Sequence, residues 1–333
     1  MIVMSYYSDI TTIAKIENSF NISGIPYVHI ILRDKALFIP TIETGEVFSR
    51  LLTKREIEFV ELNTPFKLSS SKLFESKVIK VGMQRINREN DFIIIAGPCT
   101  VEHDGSLDKI ANHISAKGLK FLRGGAYKPR KSPFSFQGLQ VTGLNLLQKE
   151  SHGLKVVTEL VSIKDIEVVY ENSDIIQIGA RNMDNYSLLK EIGKRDKPIL
   201  LKRGVSASID EFLLAADYIL AGGNEKVILC ERGIKTFETR YRSTLDLSSI
   251  PILKKLSHLP VIVDPSHALG DREFVPSLAK AAMAVGADGL LIEIHSNPSC
   301  AICDGDQSLT LDQFDKLLEE LKLLAPLFNK NIL

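Results

Sequence analysis

Apolar and polar residues follow one rhythm up to about residue 68 and another after it. In the first stretch, Met1–Tyr6 reads as a strand and Ile10–Ser19 carries apolar residues at helical spacing. Tyr27–Leu32 and Ala36–Ile42 are β-rich and separated by Arg33-Asp34-Lys35, which predicts a hairpin. Val47–Leu52 reads as a short helix and Ile57–Leu62 as a last strand. The order β-α-β-β-α-β predicts a small α+β unit with the split, ferredoxin-like pattern over residues 1–68. Nothing there clusters into chemistry. Ser69–Ser71 and the charged residues that follow read as a linker, and Lys77–Val81 as a short strand, so 69–90 is expected to join two domains.

From Asp91 the alternation becomes strict. Short apolar runs occur at Phe92–Ala96, Lys120–Leu122, Val156–Thr158, Ile175–Ile178, Ile199–Leu201, Val227–Leu229, Val261–Val263 and Leu290–Ile294. Helical patterns such as Asp210–Leu220 and Glu273–Val285 lie between them. Continuous apolar strands are buried on both faces, and eight such units predict a (β/α)8 TIM barrel over residues 91–333. An open doubly wound sheet competes, but it usually carries a glycine-rich phosphate loop after its first strand. Here Phe92–Ala96 runs into Gly97-Pro98-Cys99 instead. The fold class is therefore α/β, a barrel preceded by a small α+β unit.

Nearly every apolar run ends in a reactive or charged side chain: Cys99, Arg123, Glu159, Arg181, Lys202-Arg203, Glu231-Arg232, Asp264 with His267, and Glu293 with His295. If the runs are barrel strands, these groups converge on the C-terminal rim, where barrel enzymes carry their active sites.

Composition narrows the ligand. The chain has 333 residues, with 41 Lys+Arg against 41 Asp+Glu. Zero net charge argues against a broad nucleic-acid or membrane surface, so any positive field is local. No apolar run is long enough to span a bilayer, and Met1 opens no signal-peptide pattern. Four cysteines (Cys99, Cys230, Cys300, Cys303) do not make a disulfide scaffold, and a reduced, cytoplasmic setting is expected.

The local field is in Leu119–Gly138, where Gly124-Gly125, Pro129 and Pro133 hold a turn-rich loop bearing Arg123, Lys128, Arg130 and Lys131. Guanidinium forks and an ammonium suit a small polyanion. Arg181, Lys202 and Arg232 would line the same pocket, while Arg203 and Lys131 could either join them there or be rim charges facing water. A second set is Cys99, His267, Glu293 and Asp304, from strands that adjoin in a closed barrel. Taken singly, each has an ordinary reading as a buried thiol, a core imidazole or a solvated carboxylate. Together they could surround one divalent ion, and mixed S/N/O donors suit Mn, Fe, Co or Zn rather than Mg or Ca.

The motifs IAGPC (95–99), LRGGAYKPR (122–130), SFQG (135–138), IIQIGARN (175–182), LLKRG (200–204), ILCERG (228–233), VDPSH (263–267) and DGDQSL (304–309) resemble the 3-deoxy-7-phosphoheptulonate (DAHP) synthases across the barrel. The resemblance implies condensation of phosphoenolpyruvate with erythrose 4-phosphate, the first step of the shikimate pathway. It implies Cys99, His267, Glu293 and Asp304 as metal ligands. Arg123, Lys128, Glu159, Ala180, Arg181, Lys202 and Arg232 would contact phosphoenolpyruvate. Lys128, Pro129, Arg130, Ser132 and Asp304 would meet erythrose 4-phosphate, with Lys128, His267 and Cys99 taken as catalytic. The KPR triplet (128–130) separates the chain from the sister 3-deoxy-8-phosphooctulonate synthases, which use arabinose 5-phosphate and are the alternative reading. Lys131 departs from the Thr or Ser usual after KPR, and Ser132 could supply the missing hydroxyl. The N-terminal unit resembles the extension of one subgroup, which implies Tyr or Phe as an effector, and the family implies a homotetramer. Cys300-x-x-Cys303 could in principle serve redox or zinc chemistry, although no second pair accompanies it.

Overall fold

The computed structural model describes residues 2–6, 9–42, 58–130 and 132–333. The N-terminal unit opens with β1 (Ile2–Tyr6), a helix Ile10–Ile22 capped by Asp9, β2 (Tyr27–Leu32), β3 (Lys35–Pro40) and β4 (Glu58–Val60). The strands pair antiparallel in the order β2-β3-β1-β4, the arrangement that the split pattern requires. The expected hairpin is present, with Arg33 at its turn in the left-handed region, φ 61°. The expected helix Val47–Leu52 lies outside the described residues.

Strand alternation gives this sheet two apolar faces. Val3, Ala36 and Phe38 pack under Ile16 and Phe20 of the helix. Ile2, Met4, Ile30, Leu32 and Leu37 face the other way and join the outer core of the barrel. The segment between the two units is packed down as well. Asp217 accepts hydrogen bonds from the backbone of Lys67 and, at 2.7 Å, of Ser69, while Ser71 N donates to Leu256 O at 2.9 Å.

After a hairpin of β5 (Ile79–Val81) and β6 (Gln84–Ile86), eight parallel strands follow: β7 (Asp91–Gly97), β8 (Phe121–Arg123), β9 (Lys155–Leu160), β10 (Ile175–Ile178), β11 (Ile199–Lys202), β12 (Val227–Glu231), β13 (Val261–Val263) and β14 (Gly289–Glu293). Each pairs with the next, and β14 pairs with β7 from Gly289↔Ile93 to Glu293↔Gly97, closing a (β/α)8 barrel. The last strand, β15 (Asn331–Ile332), pairs alongside the start of β7. Between the strands, side-chain caps fix helix starts: Ser208 with Glu211 before Ile209–Ala221, and Thr310 with Gln313 before Leu311–Leu324.

The period-two alternation of each strand separates two cores. Ile93, Ile95, Phe121, Val157, Ile175, Leu200, Ile228, Cys230, Ile262 and Leu291 form the barrel interior, joined by Ile79, Val81 and Ile86 of the hairpin. Their neighbours, such as Ile94, Leu122, Leu201 and Val263, face the surrounding helices. Two residues beyond the apolar interior, the inward series turns polar on seven strands: Arg123, Glu159, Gln177, Lys202, Arg232, Asp264 and Glu293. All seven are buried. The fold thus delivers a charged layer to the C-terminal mouth.

Candidate active site

The centre of this layer is a buried contact between Arg123 and Glu293, brought face to face because β8 and β14 both adjoin β7. Residues 99–101 continue β7 and bridge to Gly125: Val101 N donates to Gly125 O at 3.1 Å and Gly125 N to Cys99 O at 3.2 Å. That zipper sets the Lys128 loop beside Cys99. Lys128 Nζ lies 3.0 Å from both the sulfur and the carbonyl oxygen of Cys99. From the other side Asp304 Oδ2 approaches the Cys99 sulfur to 3.1 Å. Donor atoms of Cys99, Glu293 and Asp304 all lie within 4.8 Å of one another. His267 stands beside them, its Nε2 3.4 Å from Glu293 Oε1 and its Nδ1 2.7 Å from Asp264 Oδ2.

Electrostatics follow from burial opposed by neighbours. Burial, with Glu293 beside it, pushes the Cys99 thiol well up. Burial also raises the Glu293 carboxyl, but His267, Arg123 and Lys128 outweigh it and hold the group far below the usual carboxylate range. Lys128 loses charge stability to burial and regains more from Cys99, Glu159 and Glu293, so it stays cationic. For His267 burial wins over the two carboxylates and favours the neutral ring, the form that ligates metals. A soft sulfur and two carboxylates gathered together, with a neutral imidazole beside Glu293 but outside that group of three, are a donor set that fits a divalent transition ion.

The cationic wall is continuous with this centre. Lys202 contacts Asp264, and Arg232 reaches the His267 carbonyl at 3.2 Å and Ser243 Oγ at 3.4 Å. Ala180 and Arg181 sit in a short 3-10 turn after β10, and Arg181 donates to the Pro129 carbonyl at 2.8 Å, joining it to the KPR loop. Glu159 lies under Gly179, where an added Cβ would fall 1.9 Å from its Oε1, so only glycine leaves room for that carboxylate. Arg130 donates to Phe136 O at 2.9 Å and touches the Cys303 sulfur. Ser132 accepts from Phe134 N at 3.2 Å, a local turn bond that leaves it apart from the central cluster.

Of the two cations left open between pocket and rim, Arg203 takes neither place. Arg203 does not face water: it is buried and pairs with Glu231 at 2.8 Å and Asp246 at 2.9 Å. Strand alternation is the reason, since Lys202 points into the barrel and its neighbour must point out, under the helices. Cys300 and Cys303 are both free thiols, one exposed and the other buried against Arg130. Lys131, the other cation left open between pocket and rim, lies outside the described residues. Sequence reasoning gave no role to Gln307, which donates to Glu293 Oε2 and accepts from Arg242 at 2.6 Å. Its signal was its place in the DGDQSL motif. Among the described residues no helix is long and apolar enough to cross a membrane.

Comparison with known proteins agrees with this geometry. The model of the DAHP synthetase I family matches residues 74–328. A phospho-2-dehydro-3-deoxyheptonate aldolase of Thermotoga maritima is 50% identical over 269 residues, 80% of this chain and 79% of that protein. A 2-dehydro-3-deoxyphosphooctonate aldolase of Geobacter sulfurreducens is 32% identical over 75% of this chain and 98% of its own. The crystal structure of the phospho-2-dehydro-3-deoxyheptonate aldolase (DAHP synthase) from Thermotoga maritima superposes with a TM-score of 0.80 at 42% identity, covering 100% of this chain and 98% of that one. With the closed barrel, the charged mouth and a family match over most of the sequence, the chain belongs to the DAHP synthetase I family.

Proposed function

We propose that this chain joins phosphoenolpyruvate, D-erythrose 4-phosphate and water into 3-deoxy-D-arabino-heptulosonate 7-phosphate and free phosphate. The observation that carries the reading is Lys128. One ammonium sits 3.0 Å from the Cys99 sulfur at the head of the KPR loop, between the metal-binding candidates and the cationic wall. Arg123, Lys128, Arg181, Lys202 and Arg232 hold phosphoenolpyruvate, with Ala180 beside its phosphate and Glu159 on the pocket floor. Like charges confined this closely are stabilised by a bound phosphate and carboxylate. Lys128, Pro129, Arg130, Ser132 and Asp304 receive erythrose 4-phosphate.

Cys99, His267, Glu293 and Asp304 would hold one divalent ion, Mn, Fe, Co or Zn, which when bound supplies Lewis-acid polarisation of the aldehyde oxygen. The chain's own groups do the rest. The arginines fix the enol phosphate so that its C3 faces the aldehyde carbon, and the new C–C bond forms there. Lys128 donates a proton to the oxygen that becomes a hydroxyl. Water adds at C2 with loss of a proton. The C2–O bond to phosphate then breaks, phosphate leaves with the electron pair, and the C2 hydroxyl gives up its proton to become the ketone. Arg181, Lys202 and Arg232 stabilise the departing dianion.

The second reading, arabinose 5-phosphate as the aldose, has support from the 32% identical octonate relative. The Lys128-Pro129-Arg130 loop favours the four-carbon sugar. Phosphate release from phosphoenolpyruvate with each aldose, with and without EDTA, tests both. Turnover with erythrose 4-phosphate that EDTA abolishes is expected, and preference for the pentose would reverse the assignment. The N-terminal unit is proposed to bind Tyr or Phe, and the chain to form a tetramer. Calorimetry with each amino acid and the mass in solution check these; no heat from either amino acid would end the first, and a monomer the second.

A further inference from the structure

Two buried polar groups at the mouth have no part in the reaction just described: Glu102, three residues after Cys99, and His295, two after Glu293. With the exposed Asp104, their oxygen and nitrogen atoms gather within 4.8 Å, a spacing that a cation could bridge. The hydrogen bonds argue otherwise. His295 Nδ1 accepts from Asn297 N at 3.1 Å, which leaves the proton of a neutral ring on Nε2. That nitrogen is therefore a donor rather than a metal ligand. It is buried without a hydrogen-bond partner and faces Glu102 Oε1 at 3.9 Å. The same Oε1 accepts from Ile302 N at 2.9 Å.

These contacts pin a loop at both ends. The stretch from His295 to Asp304 leaves β14, is gripped at residue 297 by His295 and at residue 302 by Glu102, and ends on Asp304. Asp304 adopts φ 52°, a left-handed conformation costly for a residue with a side chain. Gly305 follows against Pro298, whose carbonyl oxygen lies 2.2 Å from where a Cβ would stand. Such a conformation persists only where surrounding contacts over-determine it. Glu102 lies on the Cys99 side of the mouth, so its bond to Ile302 fixes the distance between the two loops whose tips are Cys99 and Asp304.

We infer that Glu102, backed by His295, is a positioning residue: through Ile302 N it clamps the Asp304 loop to the Cys99 loop and sets the spacing of the metal-binding groups. This rests on the assignment of Cys99, Glu293 and Asp304 as the groups that hold the ion. What matters in a clamp is the reach of the oxygen, not its charge. Glu102→Gln keeps reach without charge, and Glu102→Asp keeps charge without reach.

The test is cobalt(II) titration of the metal-free full chain, followed through the thiolate-to-cobalt absorption that Cys99 would give, with competition by a chelator for Kd. Second-layer groups of metal sites typically account for about 10–100-fold in affinity. Glu102→Asp is expected to weaken cobalt by about that factor, with Glu102→Gln within about threefold of the parent. Thermal unfolding of the metal-free variants should differ little between the two. Equal weakening in both, weakening in Glu102→Gln alone, no weakening in Glu102→Asp, or a second cobalt bound per chain would each overturn the clamp. Absence of the absorption band from the parent chain, or its persistence in Cys99→Ala, would instead overturn the underlying metal assignment.

Discussion

Lys128 Nζ stands 3.0 Å from the Cys99 sulfur and 3.0 Å from the Cys99 carbonyl oxygen, so one ammonium spans the tip of the first barrel strand. The bridge from Thr100 to Gly125 makes this possible by holding the two loops in register. In the proposed reaction, a proton donor fixed at that point would protonate the oxygen generated by C–C bond formation. Replacing Lys128 with Gln is expected to lower kcat about 10²–10⁴-fold, the usual worth of a positioned general acid. Steady-state phosphate release reads the effect. A loss below about tenfold would remove Lys128 from the proton-transfer role.

Arg203 supports the site from behind. It carries a buried charge shared between Glu231 at 2.8 Å and Asp246 at 2.9 Å, and the carboxylate of Glu231 also accepts from Gly233 N at 2.6 Å. Removing one member of a buried pair leaves its partner charged and unsolvated. Arg203→Ala is expected to cost about 3–5 kcal/mol of stability, read from the denaturant midpoint. A change under about 1 kcal/mol would show that Glu231 finds another partner.

Arg203 also marks where the sequence could be read and where it could not. The barrel was legible because eight apolar runs, each ending in a polar group, have few other folds to adopt. Strand parity was in the same letters: Leu200 and Lys202 share a face, so Arg203 belongs to the opposite one. Leaving it open between the pocket and the rim overlooked that rule. Gln307 lies in the DGDQSL motif, yet its grip on Glu293 depends on a loop folding back across the mouth, where Leu309 N donates to Glu293 O at 2.9 Å. The partnership of Glu102 with Ile302 is of the same kind. It spans 200 positions, and no periodicity encodes a contact between two loops.

Arg33 tests how the N-terminal unit is seated. From the tip of the β2–β3 hairpin its guanidinium lies 4.5 Å from the Phe74 ring centroid, donates to the Glu75 carbonyl at 3.0 Å and meets Glu225 at 3.3 Å. A cation over an aromatic face, combined with an ion pair, is worth about 1 kcal/mol in a partly covered setting. Arg33→Ala is expected to raise the rate of limited proteolysis between Val60 and Phe74 severalfold, because the sheet would leave the barrel more often. Unchanged cleavage would place the docking energy in the apolar contact of Ile30, Leu32 and Leu37 alone.

His258 gives a pH dependence of stability whose sign can be derived. The ring is buried beneath Phe74, its Nε2 lies 3.0 Å from the Leu68 carbonyl, and its backbone N–H donates to Ser69 at 3.3 Å. Burial is the main cause that lowers its pKa, from 6.5 to about 4; the Leu68 bond opposes it, and Arg33 and Arg88 add to the lowering. In the unfolded chain the ring takes up a proton below about 6.5, while the folded chain resists protonation down to about 4. The unfolded state therefore binds more protons across that interval, and stability falls as pH drops through it. Above the interval the ring is neutral in both states and contributes no slope. The shift corresponds to about 3 kcal/mol, complete once the pH is below the folded value. His258→Gln keeps a donor for Leu68 without a titrating ring, so its stability should fall less between pH 7 and pH 4, with the carboxylate contributions common to both proteins cancelling in the difference. Denaturant midpoints measured in parallel supply that difference. Parallel curves for the two proteins would mean that the folded ring is protonated as readily as the unfolded one.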